Sequence, residues 1–192
     1  MAQNGLAYTE NPYDAERYEQ IRQVAAEMAA AGDETETAEL VELFRAERGY
    51  ATPKVDVRGV AFRDGRILLV HGTDDGRWTM PGGWADVGEA PSQAVEKEVR
   101  EESGYPARAV RLLGVQNRDF LDRGTWPFHA YKLFFLCELL ADEPGPLTGV
   151  ETQDVGLFAE DELPDLSVKV GDHGVAWLFE RLHDPSLSPL FD

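Results

Sequence analysis

Between Pro81 and Pro106 the chain reads "PGGWADVGEAPSQAVEKEVREESGYP". Pro91 suits the first turn of a helix and Gly104 its end, so the spacing predicts a helix over residues 91–103. At about 100° per residue, Glu98, Glu101 and Glu102 share a sector of roughly 100°, with Val95 and Val99 beside it. Like charges at these spacings repel by a few tenths of a kcal/mol per pair. One reading is a solvated face braced by Lys97–Glu101 and Glu96–Arg100 pairs. The other is an oxygen set for a hard cation, because Mg²⁺ takes a few carboxylates and fills about six positions with waters and phosphates. Gly82 and Gly83 favour the second. They let backbone approach a ligand and can turn a carbonyl toward a cation.

The whole-chain numbers bound the partners. The chain has 192 residues, 43% of them hydrophobic, which is enough for one domain with a small appendage. Its formal net charge is −18, from 36 acidic and 18 basic residues. Phosphate backbones and anionic membranes repel such a surface, so nucleic-acid coating is disfavoured; a phosphorylated substrate is handled only if cations supply local positive charge. The single cysteine, Cys137, excludes an internal disulfide and reads as a small buried hydrophobe. The chain has no apolar run of membrane-span length and no basic-then-apolar leader, so the expected location is the cytoplasm.

Two textures divide the chain. Residues 1–53 read as a helical extension. Ile21, Val24, Ala25 and Met28 form one apolar face, with Gly32 as the stop; Leu40, Leu43 and Phe44 form another, with Gly49 as a C-terminal cap. Two such helices cannot bury their stripes alone, so they need the next domain or a second copy. Residues 54–192 read as a mixed α/β domain. Its signs are a hairpin at Asp64-Gly65, the helix 91–103, strands in "ARAVRLLGVQNRDF", "FHAYKLFFLCEL" and "DVGLFAEDELP", and a last helix carrying Val175, Leu178, Phe179 and Leu182.

The stretch from Gly83 resembles the signature of the Nudix hydrolases: Gly83, Glu89, then Lys97-Glu98-Val99-Arg100-Glu101-Glu102-Ser103-Gly104-Tyr105, with the family spacing intact over 23 positions. Lys97 stands where the family usually has Arg, and offers a point charge instead of a planar fork. That implies looser coupling to Glu89. Tyr105 replaces an aliphatic residue and reads as packing. "NPYDAERYEQIR", "LFRAERGYATPKVDVRG" and "YKLFFLCEL" are similar to a bacterial branch with a helical N-terminal extension, which contains CDP-choline and ADP-ribose pyrophosphatases. In that branch a further helix precedes the counterpart of "AQNGLAYT", so the resemblance implies a shortened start.

The resemblance implies a Nudix α/β/α sandwich with a mixed sheet, preceded by a small helical extension that mediates homodimerisation. It also implies Mg²⁺-dependent (alternatively Mn²⁺-dependent) hydrolysis of a nucleoside diphosphate linked to a group X, giving a nucleoside monophosphate and phospho-X. Glu98 and Glu102 are then the first metal ligands, Glu101 the next ligand and a member of the catalytic set, and the Gly83 carbonyl a further ligand. Two residues compete as general base. Glu151 lies in a loop before a strand where related enzymes often carry one, and Glu89 is the box glutamate. Trp84, Phe120 or Tyr131 could stack on a base, and Arg58, Arg118 or Lys132 could meet phosphate. Each aromatic also has an ordinary reading as core packing. Many ADP-ribose-specific relatives carry a proline about sixteen residues past the box; "RDFLDRG" has none, which favours CDP-choline. The alternatives are a catalytically silent nucleotide sensor and an RNA-end hydrolase. The intact glutamates oppose the first and the net charge opposes the second.

Overall fold

The computed structural model describes residues 1–31, 34–118, 128–171 and 173–192, with backbone only at 34 and 35. They group into two units, Met1–Pro53 and Lys54–Asp192.

The first unit holds α1 (Ala2–Tyr8), α2 (Pro12–Ala29) and α3 (Glu34–Ala46). Asn11 starts α2, its Oδ1 accepting from the N–H of Tyr13 at 2.9 Å, with Pro12 in the first turn. Arg22 ties α2 to α3 by donating to the Phe44 carbonyl at 3.3 Å while gripping both Glu19 oxygens at 2.6 Å. That donor satisfies a carbonyl of the last turn of α3, which ends at Ala46 without a glycine cap. Gly49, with φ +80°, lies beyond the helix end and is not its cap. Gly32 lies outside the described residues. Small side chains pack the unit: Ala26 and Ala30 on α2's side and Val41 on α3 are buried. Ile21, Val24 and Met28, by contrast, are 52%, 52% and 78% exposed.

The second unit has two sheets. In one, the order is β1 (Lys54–Val60), β6 (Ala130–Leu139), β5 (Ala107–Arg118), β8 (Leu190–Phe191), with β1–β6 and β5–β8 parallel and β5–β6 antiparallel. In the other, β3 (Arg66–Gly72) pairs antiparallel with β2 (Phe62–Arg63), β4 (Trp78–Thr79) and β7 (Thr152–Phe158). The β2–β3 hairpin turns on Asp64 and Gly65, both with positive φ, as Asp-Gly predicts. Strand period two divides the core. Ile67, Leu69 and Phe134 point to one face, where Trp177, Leu178 and Phe179 of α5 (Ala176–His183) cover them. Leu68, Val57 and Cys137 point to the other, under Val95 and Val99 of α4 (Pro91–Ser103). The result is a helix on each face of mixed sheets. Burial pushes the Cys137 thiol up to about 12, which leaves it an inert packing residue. Among the described residues no helix is long and apolar enough to cross a membrane.

Candidate active site

The free edge of β1 is occupied by the glycine loop. The N–H groups of Val57, Gly59 and Ala85 are bonded to, or from, this loop: Val57 donates to Gly83 at 2.8 Å, Gly59 to Pro81 at 2.8 Å, and Ala85 donates to Val55 at 2.9 Å. Gly82 has φ +150°, and a Cβ there would come within 2.0 Å of the Val57 carbonyl. Only glycine lets the loop lie flat on the strand. A Cβ on Gly83 would come 3.3 Å from the Glu98 carboxyl group, so loop and helix α4 already touch at this point.

On α4 the acidic face turns toward that loop. Oε2 of Glu102 accepts from the N–H of Gly82 at 2.9 Å. Burial, then the charges of Glu102 and Glu101, push the Glu98 carboxyl up to about 7. Burial also raises Glu102, although the Gly82 N–H and the Arg58 charge pull the other way. The expected i, i+4 brace is not what forms. Glu96 accepts from the N–H of Ala109 on β5 at 2.9 Å. Lys97 Nζ lies 3.0 Å from Asp86 and 3.5 Å from Glu89. Lys97 therefore serves two loop carboxylates, with Asp86 the nearer, and its hold on Glu89 is the longer contact.

Beneath the carboxylates lies a buried charge cluster. Arg58 Nε donates to Asp56 Oδ1 at 2.7 Å and Lys132 Nζ to Asp56 Oδ2 at 2.7 Å; all three side chains are under 8% exposed. Burial works against the Asp56 carboxylate, but Arg58 and Lys132 outweigh it and hold the group below its usual range. Burial and the neighbouring Arg58 pull the Lys132 ammonium down to about 7, against the attraction of Asp56. The cluster reflects strand geometry: Asp56 and Arg58 are i, i+2 on β1, and Asp56 is the register partner of Lys132 on β6.

A cavity of about 780 Å³ opens between the two sheets. Of the residues expected from the sequence, Arg58, Gly83, Trp84, Glu98, Glu101, Glu102, Arg118 and Glu151 line it. Glu89 sits at Lys97, Tyr131 stacks edge-on with His129, and Lys132 is spent on Asp56; none of the three lines the cavity. Phe120 lies outside the described residues. Sequence reasoning missed Thr79, Asp74, Phe128 and Lys169, which also line it. Lys169, in a 3-10 turn (Val168–Val170), reaches Asp74 at 2.5 Å. No motif marks these four: Thr79, Asp74 and Lys169 come together around β3 and β4, and Phe128 enters from the start of β6 in the other sheet.

The donor set suits a hard divalent cation. Its side chains offer oxygen only, Glu98 and Glu102 are half-buried carboxylates, and the repulsion that, after burial, raises Glu98 is what a cation would relieve. Among the described residues no group of three or more His, Cys, Asp or Glu side chains is gathered so that it could hold a metal ion by itself. Waters and substrate phosphates would therefore have to complete the shell of a hard divalent cation here.

Comparison with known proteins agrees with this geometry. Residues 52–178 match the family model described as "NUDIX domain", and residues 1–44 match one described as "UDP-X-like, N-terminal oligomerisation domain". The chain is 40% identical over its full length to the Bacillus subtilis (strain 168) protein named "Putative ADP-ribose pyrophosphatase YjhB", covering 92% of that protein. A crystal structure of a UDP-X diphosphatase aligns over 100% of this chain and 92% of its own, with 31% identity and a TM-score of 0.63. That of an ADP-ribose pyrophosphatase from Streptococcus suis 89-1591 aligns over 73% of this chain and all of its own, with 34% identity and a TM-score of 0.62. With the domain match spanning the glycine loop, α4 and strands β1 to β7, the chain belongs to the Nudix hydrolase family, whose chemistry is the hydrolysis of pyrophosphate bonds.

Proposed function

We propose that the protein is a Mg²⁺-dependent pyrophosphohydrolase that cleaves a nucleoside diphosphate linked to a group X into a nucleoside monophosphate and phospho-X. One observation carries this reading: Glu98, Glu101 and Glu102 face the Gly82–Gly83 loop on the wall of a cavity of about 780 Å³, large enough for a dinucleotide-sized substrate. When bound, a divalent cation neutralises the diphosphate and lowers the pKa of a water. Glu98 and Glu102 would hold it, Glu101 and the Gly83 carbonyl, which also accepts from the Val57 N–H, would complete the protein's share, and Gly82 orients Glu102 through its N–H. Glu151 stands on the rim near enough to raise the Glu102 carboxyl. It takes the proton from the attacking water as the new P–O bond forms and the anhydride P–O bond breaks. Glu89 acts as a support, held by Lys97. Trp84 and Arg118 meet the nucleotide.

The missing proline in "RDFLDRG" favours CDP-choline, while the relatives' names favour ADP-ribose and UDP-linked compounds. A panel of CDP-choline, ADP-ribose, UDP-glucose, NADH and nucleoside triphosphates, assayed with Mg²⁺ by product chromatography, tests the reading. Turnover of an NDP-X to a nucleoside monophosphate that collapses in Glu102→Gln supports it. Tight nucleotide binding without turnover of any compound overturns it in favour of a sensor.

We further infer that Met1–Pro53 is a dimerisation unit. Its support is the oligomerisation-domain match over residues 1–44 and the exposed apolar row Ile21, Val24 and Met28 on α2.

A further inference from the structure

The cavity has two chemically different walls. The wall from the β1–β6–β5 sheet carries Arg58, Arg118, Phe128 and Ala130, with Trp84 of the glycine loop bridged to Asp56 beside it. The wall from the β3 sheet carries Val70, Thr79 and Thr152, with Lys169 and Asp74 at its end. Aromatic rings and two guanidinium groups lie on the first wall, hydroxyl and ammonium groups on the second.

Thr79 is the odd member. It is 5% exposed, and its Oγ1 is buried without a hydrogen-bond partner among the described residues. A buried hydroxyl left unmatched is destabilising, and most such groups in native proteins are paired. Valine has the same shape and would pack against Val70, the register partner of Thr79, without that penalty. A threonine here makes sense if the hydroxyl bonds to something that enters the cavity. Lys169 supplies the matching charge: its ammonium sits on Asp74 at 2.5 Å and lies near enough to Glu102 to lower that carboxyl. Ser167, buried at 1% exposure, fixes the turn that carries Lys169 by donating to Asp75 Oδ2 at 2.5 Å and accepting from the Lys169 N–H at 3.1 Å. One wall of the cavity thus offers an O–H donor and an ammonium on a pre-set turn, the donors a phosphate oxygen takes.

We propose that Thr79 and Lys169 form the subsite for the phosphoryl group of the phospho-X half of the substrate, across the cavity from the wall that takes the nucleotide. The proposal rests on the NDP-X reading and assigns which half of the substrate each wall holds. Lys169 would exchange Asp74 for phosphate as substrate enters, so Asp74 keeps the ammonium in place between turnovers.

The test is product binding and inhibition in Thr79→Val and Lys169→Met beside wild type. The phospho-X probes are ribose 5-phosphate and phosphocholine, and the nucleotide probes are AMP, CMP and UMP. In Thr79→Val the affinity for whichever phospho-X compound binds wild type falls about tenfold, as expected for a lost hydrogen bond to a charged group. Its affinity for the nucleoside monophosphates is unchanged. Its melting temperature holds or rises, which a purely structural threonine would not produce. Lys169→Met shows the same split. Equal weakening of both product classes, weakening of the nucleotides alone, or no change overturns the subsite. If wild type turns over no NDP-X at all, the functional reading fails by itself, and titration calorimetry with the same probes still decides the subsite. Wild-type binding of nucleoside monophosphates with no binding of either phospho-X probe overturns it.

Discussion

The main-chain N–H of Gly82 donates to Oε2 of Glu102 at 2.9 Å, so the glycine loop and the acidic helix are joined at the carboxylate proposed to hold the cation. Losing only the hydrogen-bond partner of a ligand typically costs 10–100-fold, so losing the ligand's charge costs at least about a hundredfold. Glu102→Gln is expected to lose about that much kcat/KM under saturating Mg²⁺. It keeps the shape and still accepts from Gly82, so its thermal midpoint should not fall. Steady-state kinetics and a melting curve on one preparation check both.

The Glu98 carboxyl gives a pH signature without metal. Its ordinary value is 4.5 and it is raised to about 7, so between those values the folded chain keeps a proton that the unfolded chain has shed. Stability is therefore full below that window and declines as pH rises through it. Urea midpoints of chelator-treated protein at pH 5, 6 and 7 should fall in that order, and Glu98→Gln should flatten the trend. Mg²⁺ must displace the same proton, so its apparent affinity should climb with pH and level off above about 7.

Asp56 is one carboxylate serving two cations, and the two ways of breaking the cluster are unequal. Asp56→Asn leaves Arg58 and Lys132 buried without their counter-charge, and about 3–5 kcal/mol of stability should go with it. Lys132→Met leaves a one-to-one Arg58–Asp56 pair and fills the same space with apolar atoms; its cost should be well under half as large. Denaturant titration of the two variants measures the difference. Equal losses would mean that Lys132 matters for more than charge.

The exposed row on α2 makes an assembly prediction. Ile21→Glu with Val24→Glu should shift the protein from dimer to monomer in sedimentation at micromolar concentration, while kcat on the best substrate changes less than about twofold. These side chains are half exposed, so the folded unit itself should lose little.

The sequence reveals some of this and hides the rest for physical reasons. Helix α4 was legible to the residue, because Pro91, Gly104 and the valine spacing act locally. The carboxylate face was legible for the same reason. Lys132 was read as a phosphate ligand because its partner, Asp56, lies 76 positions away and meets it only through β1–β6 pairing. Gly49 was read as a cap because its residue type suits one, yet α3 stops at Ala46, and an arginine from α2 meets one carbonyl of its last turn. Thr79 and Lys169 carry no motif. Each is an ordinary residue until β3, β4 and the following turn fold together. The i, i+4 pairs of α4 failed because loop and strand partners, Asp86 and the Ala109 N–H, outbid neighbours on the same helix.

The buried Asp56 cluster has a consequence for how such a protein can be handled. Below about pH 7, where the buried Lys132 keeps its proton, two cations against one anion leave an excess positive charge just below the carboxylates, built into the sheet itself. The chain thus carries a fixed counter-ion of its own. Stripping it with a chelator should silence it without melting it, and adding metal back should restart it without a refolding step. Its dependence on the ion would work like a tap on a standing vessel.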